Sequence, residues 1–120
     1  ALPILEHIGQ PGSKRQAAKA IDYIRENYGN QNLGLNQICE YLNMSTSRFS
    51  SIFKEATGKT FTEVLIDVRI QNAERLLRQT RLKNYEIAEK VGFSDPHYFS
   101  QVFKKMTGKT PKEYARENSE

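Results

Sequence analysis

The chain contains a single cysteine, Cys39. One thiol cannot build a disulfide framework or a cysteine-based metal cluster. Cys39 falls on the apolar side of an expected helix, where a buried structural thiol is the ordinary outcome. Histidine is also scarce; of the two, His7 has no companion ligand near it and receives no role. No apolar run approaches the roughly 20 residues of a membrane-spanning helix. No secretory leader is visible, so a cytoplasmic location is the expectation, with no membrane partner. No strand pattern of period two occurs anywhere. The acidic residues are scattered over expected helix surfaces, and no nucleophile lies beside a plausible base. The chain is therefore not expected to be an enzyme, and no cofactor or metal is expected.

What is present suits a small soluble domain. At 120 residues, 38% hydrophobic and 27% charged, the chain is one domain or two very small ones sharing a core. Eighteen Lys and Arg against fourteen Asp and Glu give a net charge of +4, with a pI near 9.2. That balance permits a nucleic-acid partner without requiring one.

The strongest feature is an internal repeat. At an offset of fifty, nine of the seventeen positions in 49–65 recur in 99–115: Phe49, Ser50, Phe53, Lys54, Thr57, Gly58, Lys59, Thr60 and Glu63 meet Phe99, Ser100, Phe103, Lys104, Thr107, Gly108, Lys109, Thr110 and Glu113. So dense a self-match in so short a chain means one structural unit used twice. Each copy reads as the second helix of a helix-turn-helix.

Taken in order, residues 1–13 carry Pro3, Gly9, Pro11, Gly12 and Ser13 and read as a linker or expression remnant. A first helix is expected from Lys14 to Tyr28, with Ala17, Ala20, Ile21, Ile24 and Tyr28 on one face. A second runs from Leu35 to Leu42, turning Leu35, Ile38, Cys39 and Leu42 inward, and Asn43 fits a left-handed stop. Ser45 is a good N-cap for a third helix over 46–57. Gly58 ends it, and Thr60-Phe61-Thr62-Glu63 is a capping box opening a long fourth helix over 61–79.

On that helix Phe61, Val64, Leu65 and Val68 form one stripe, and Ile66, Ile70, Ala73 and Leu77 another on nearly the opposite side. Such a helix packs against one neighbour early and a different one late, as a rod joining two subdomains. A fifth helix, 84–91, buries Ile87, Ala88 and Val91, and Gly92 stands where Asn43 stood. Asp95 as N-cap and Pro96 at the first helical position start a sixth, after a turn one residue longer. Thr110-Pro111-Lys112-Glu113 opens a final short helix carrying Tyr114. The division expected is a linker over 1–13, a first helix-turn-helix subdomain over 14–59, a linker helix over 60–80 and a second subdomain over 81–120. The class is all-α, with seven helices.

The third and sixth helices carry the candidate chemistry. On the wheel, Phe49, Ile52, Phe53 and Ala56 form the core face of the third, opposite Ser47, Ser50, Ser51 and Lys54. In the sixth, Phe99, Val102, Phe103 and Met106 face the core, opposite His97, Ser100, Gln101 and Lys104. Both outer faces are small and polar near the helix start and cationic further on. Side chains near a helix start reach base edges in the major groove, while a lysine further along meets a phosphate. Helix N-termini and the preceding turns also offer backbone N–H groups to phosphate, which adds Ser45 and Thr46 in the first copy and Asp95 and Tyr98 in the second. A solvated polar face explains any one such helix. Duplication of the face, with its turn and preceding short helix, favours DNA recognition.

Ile87-Ala88-Glu89-Lys90-Val91-Gly92-Phe93-Ser94-Asp95-Pro96-His97-Tyr98-Phe99, followed by Phe103-Lys104-Lys105, Gly108 and Pro111 through Tyr114, resembles the second motif of the AraC/XylS transcription regulators. Residues 38–64 resemble that family's first motif, and Arg69 on the linker helix is family-like. The resemblance covers 14–116. It implies two helix-turn-helix units joined by a long helix, with two recognition helices entering successive major grooves of double-stranded promoter DNA. It also implies RNA polymerase as a partner and a separate N-terminal effector, receiver or dimerisation domain. The mode of action, as an activator or as a repressor, is left open, with activator as the working expectation. The first four helices are most similar to output domains of response regulators. Carried over, the base-reading positions are Ser47, Ser50 and Ser51, then His97, Ser100 and Gln101. Arg48 reaches a base or a phosphate, and Lys54 and Lys104 fit backbone contacts. Three serines lack the bidentate geometry of Arg, Asn or Gln, so Gln101 and His97 are expected to discriminate more than the third helix does. A histidine at a DNA face can also gain charge near phosphates and strengthen binding at lower pH.

Two other readings compete with this one. The Gly-Lys-Thr triplets at 58–60 and 108–110 suggest a phosphate-binding loop, but that motif needs glycine where Phe53 and Phe103 stand. The alternative from another class is a helical protein–protein interaction module without DNA binding, which calls for a large exposed apolar patch. The expected outer faces carry hydroxyl, amide and lysine groups instead.

Overall fold

The computed structural model describes residues 11–118. Among them are seven α-helices and no strand: α1 (Pro11–Asn27), α2 (Leu35–Leu42), α3 (Thr46–Thr57), α4 (Phe61–Gln79), α5 (Asn84–Lys90), α6 (Pro96–Thr107) and α7 (Pro111–Asn118). Helix α1 begins at Pro11, three residues before its expected start, because proline is well suited to a first helical turn. Residues 1–10 of the expected linker lie outside the described residues. Helix α5 ends at Lys90, with Val91 as its cap residue at φ −90°.

The chain forms two compact units, and one segment, Tyr28–Asn32, joins its unit out of sequence order. The first unit takes the chain to Asn27 and then Leu33–Ile66; the second takes Tyr28–Asn32 and Asp67–Glu120. Helix α4 thus contributes its first six residues to one unit and the remainder to the other.

In the first unit α1 packs on α3 and α2. Its buried face is Ala17, Ala20, Ile21 and Ile24. Phe49, Phe53 and Phe61 form an aromatic cluster with ring centroids 5.3–6.2 Å apart, beside the buried Val64 and Leu65. Leu33, in the connection before α2, is buried as well, a core residue the helical periodicity did not reveal. Leu35, Leu42 and Ile52 are half-buried at the margin.

The second unit repeats this plan around Phe93, Phe99 and Phe103, with Phe93–Phe99 centroids at 5.3 Å and Phe99–Phe103 at 5.8 Å. Ile70, Ala73 and Leu77 of α4 are buried here, as are Ile87, Ala88 and Val91. Met106 departs from expectation: it is 43% exposed. The ring of Tyr114 packs edge-on against Phe103 at 5.4 Å, and Met106 is left at an open cleft of about 410 Å³ that Ile70 and Tyr114 also line.

Both capping boxes form. The Thr60 and Thr110 backbone N–H groups donate to Glu63 and Glu113 at 2.8 and 2.9 Å, and both glutamate N–H groups donate back to the threonine hydroxyls at 3.1 Å. The backbone hydrogen bonds from Thr60 and Thr110 hold both carboxyls below their ordinary pKa, with the side-chain bonds and nearby cations, Lys54 and Lys59 for Glu63 and Lys104 and Arg116 for Glu113, adding to the effect.

One buried charge fixes the frame of the second unit. Arg69 is 8% exposed. Its Nε donates to the Tyr28 carbonyl at 2.8 Å and its Nη2 to the Asn30 carbonyl at 2.9 Å, and its guanidinium lies 5.7 Å from the centroid of Phe93. Burial lowers the pKa of this guanidinium. The two carbonyls take up the donors, as a buried cation requires.

Candidate nucleic-acid interface

Each unit presents one helix whose rotation is fixed by two fully buried phenylalanines four residues apart: Phe49 and Phe53 in α3, Phe99 and Phe103 in α6. With 100° per residue, burying those rings turns the intervening polar positions outward. Ser47, Arg48, Ser50, Ser51 and Lys54 are exposed on α3, as are His97, Tyr98, Gln101 and Lys104 on α6. Ser100 is half-buried.

The turns ahead of these helices set their start points. In the first unit Asn43 is left-handed, at φ 56° and ψ 50°, which asparagine tolerates better than most residues. The Met44 N–H then returns to the Cys39 carbonyl at 3.0 Å. Ser45 caps α3 by accepting from the Arg48 N–H at 3.2 Å. In the second unit Gly92, at φ 104°, takes the place of Asn43, and the Phe93 N–H returns to the Ala88 carbonyl at 2.9 Å. Asp95 caps α6 by accepting from the His97 N–H at 2.9 Å. Two further residues follow Asn43 up to the cap of α3, and three follow Gly92 up to the cap of α6. The expected extra residue lies in this turn.

Ser45, Thr46 and Asp95 are exposed at the two helix starts. Lys54 stands in the last turn of α3, and Lys104 and Lys105 in the last turn of α6. The candidate residues of each unit therefore lie together on one solvent-facing surface: a polar start and a cationic end. Among the described residues, no hydrogen bond occupies the side chains of Ser47, Ser50, Ser51, His97 or Gln101. Ser100 differs, because its hydroxyl is engaged by Asn84 of α5, at 3.0 Å. Sequence reasoning missed Asn84. The available signal was the alignment of the two copies, in which Asn84 stands opposite Leu35 at the head of the preceding helix.

Cys39 is buried beneath the first turn, where its thiol approaches the Ser45 carbonyl at 3.9 Å. Burial raises its pKa, so it stays a neutral packing group. Among the described residues no cluster of His, Cys, Asp or Glu could hold a metal ion, and no helix is long and apolar enough to cross a membrane.

Residues 38–117 match the family described as a helix-turn-helix domain. The C-terminal domain of AraT, a response regulator from Geobacillus stearothermophilus, has the same fold with a TM-score of 0.85 and 35% identity, over 88% of this chain and 87% of that one. The chain belongs to the AraC-type helix-turn-helix family. Another solved neighbour is the C-terminal domain of the two-component response regulator yesN from Fusobacterium nucleatum, 41% identical with a TM-score of 0.79 over 82% of this chain and 97% of that one. Among curated relatives, the arabinose operon regulatory protein of Escherichia coli is 33% identical over 104 residues, 87% of this chain and 36% of its own length. Across this and two further relatives, the chain spans 28–41% of their lengths. The AraC-type assignment agrees with the duplicated turn-and-helix geometry and with the all-α architecture of seven helices.

Proposed function

We infer that this AraC-type chain binds double-stranded promoter DNA by sequence, as the output domain of a transcription regulator, with α3 and α6 inserted into successive major grooves. The observation that carries the reading is the repeated exposed face: small polar residues behind a capped start, then lysine, on a helix locked in rotation by two buried phenylalanines. A helix about 10–12 Å across with its side chains fits a major groove about 12 Å wide.

Base reading falls to Ser47, Arg48, Ser50 and Ser51 in the first unit and to His97, Ser100 and Gln101 in the second. Ser45, Thr46, Lys54, Asp95, Tyr98 and Lys104 fit the DNA backbone, the two capping residues through the N–H groups they leave at the helix starts. No role in this reading requires a covalent step, so the chain acts as a binding domain and not as an enzyme. In the full regulator, a separate effector, receiver or dimerisation domain precedes it. The likeness to response-regulator output domains favours a receiver. Activation through RNA polymerase in the cytoplasm completes the reading.

The test is selection of bound sequences from a random double-stranded DNA pool at near-physiological salt. Two enriched boxes about ten base pairs apart are expected, one helical turn of DNA. A single box means that one unit reads bases while the other grips backbone. No enrichment, together with no salt-sensitive binding to any DNA, overturns the reading in favour of a protein-binding module.

A further inference from the structure

The two recognition helices carry a serine at the same repeat position, Ser50 in α3 and Ser100 in α6, and the structure treats them differently. The Ser100 hydroxyl donates to the Pro96 carbonyl at 3.1 Å and accepts from the Asn84 side-chain amide at 3.0 Å. A serine hydroxyl has one proton and two acceptor lone pairs. The proton lies on Pro96, because a carbonyl cannot donate. The bond from Asn84 must then come from its NH₂ group, which fixes the amide orientation. One lone pair of Ser100 remains, and no described residue fills it.

Ser50 has no such anchors. No hydrogen bond joins its hydroxyl to Thr46 or to any other described residue. The residue opposite Asn84 in the first copy is Leu35, which cannot donate. Ser50 is therefore free to turn its hydroxyl as donor or acceptor, whichever a base edge demands.

We propose that Asn84 is a positioning residue for sequence recognition: its bond to Ser100, together with the bond from Ser100 to the Pro96 carbonyl, holds Ser100 as an acceptor that reads the amino group of adenine or cytosine in preference to guanine or thymine at the same position. This rests on the DNA-binding reading given above. In the major groove adenine N6 and cytosine N4 are donors, whereas guanine O6 and N7 and thymine O4 are acceptors only. Facing either of the latter, Ser100 places lone pair against lone pair, unless its proton leaves Pro96. Asn84 holds the oxygen within reach of the Pro96 carbonyl, so that turning the proton towards a base forfeits the Pro96 bond. A leucine at 84 removes the second anchor and leaves Ser100 as adaptable as Ser50. The duplicated units thus differ in stringency at equivalent positions, although the serine itself is identical.

The test uses the selected DNA target and all its single base-pair variants, with affinities measured for the unaltered chain, Ser100→Ala and Asn84→Leu. Ser100→Ala should change preference at one position only, which locates the contact. There the unaltered chain should favour A or C over G or T on one strand by roughly fivefold to tenfold, the low end of the cost of a single mismatch. Asn84→Leu should reduce that ratio to about twofold, while preferences at other positions and the salt dependence stay unchanged. A merely structural role for Asn84 would weaken all targets alike and leave the ratio intact, which overturns the proposal. So does a G or T preference at the Ser100 position, or a Ser100→Ala variant that alters no position. If the unaltered chain binds no DNA at all, the functional reading itself fails, and that outcome is distinct from the others.

Discussion

Replacing Gly92 by alanine should damage the second unit far more than the same change at the two other left-handed glycines. Gly92 sits at φ +104°, and a Cβ there would stand 2.2 Å from the Tyr28 carbonyl oxygen, 2.6 Å from Arg69 Nε and 2.9 Å from its Cζ. Backbone strain of this kind costs about 1–3 kcal/mol. The overlap must then be relieved by moving Tyr28 or Arg69, and both are held by the 2.8 Å bond between them. Losing a hydrogen bond to a buried charge costs about 1.5–3 kcal/mol more. The sum is roughly 2.5–6 kcal/mol, a large part of the ~5–15 kcal/mol that holds a domain together. At Gly58 and Gly108, φ is +76° and +84° and nothing lies within 4 Å of the added Cβ. Only the left-handed penalty applies there, about 1–2 kcal/mol. Urea unfolding followed by circular dichroism at 222 nm separates the cases. With a slope of about 1.5 kcal/mol per molar, Gly92→Ala should lower the midpoint by roughly 2 M or more, and Gly58→Ala and Gly108→Ala by about 1 M. Equal midpoints for the three variants would refute the role assigned to the Tyr28–Arg69 contact.

Other predictions concern charge and packing. Above about pH 4.5 the depressed carboxyls of Glu63 and Glu113 contribute their full stabilisation; as pH falls through their lowered folded values they take up protons and that contribution is lost. The double variant Glu63→Gln, Glu113→Gln keeps acceptors in both capping boxes, so its urea midpoint should fall less between about pH 5 and 3 than that of the unaltered chain; parallel curves would contradict this. Lys54→Ala should weaken binding to every DNA sequence alike and reduce the slope of log affinity against log salt by about one, whereas Gln101→Ala should change base preference and leave the slope alone. If Gln101→Ala left preference unchanged while Ser50→Ala and Ser51→Ala abolished it, the greater discrimination assigned to the second unit would be wrong. Phe99→Ala, at a fully buried ring, should cost about 3–5 kcal/mol, read as a lowered unfolding midpoint.

Most helix boundaries were readable because their signals are local. Ser45, Thr60, Asp95 and Thr110 each cap a helix through bonds within three residues, and Gly58 and Gly108 stop one. Asn43 and Gly92 were both readable as left-handed stops for the same reason. The start of α1 was less legible, since Pro11-Gly12-Ser13 has the composition of a linker yet is compatible with a first helical turn. Met106 shows the limit of a helical wheel, which gives direction but not what stands opposite; Tyr114, from another helix, covers Phe103 instead. The surface positions of Ser47, Ser50, Ser51, His97 and Gln101 followed from the phenylalanine spacing. The pairing of Ser100 with Asn84 did not, because it joins residues sixteen apart on different helices. The clamp of Arg69 on Tyr28 and Asn30 spans about forty residues and leaves no mark in any local window.

That clamp bears on how the chain can be cut. Tyr28–Asn32 lies between α1 and α2 in sequence but belongs to the second unit. The polypeptide therefore crosses between its two units after Asn27, after Asn32 and after Ile66, and not once along α4. A fragment comprising only the second half would carry Arg69 without the carbonyls it binds, and Gly92 without the oxygen it was shaped to admit. Exchange of recognition units between relatives would likewise have to move five residues from the front of the chain together with the back. In synthesis, the five residues that complete the second unit leave the ribosome well before the rest of it.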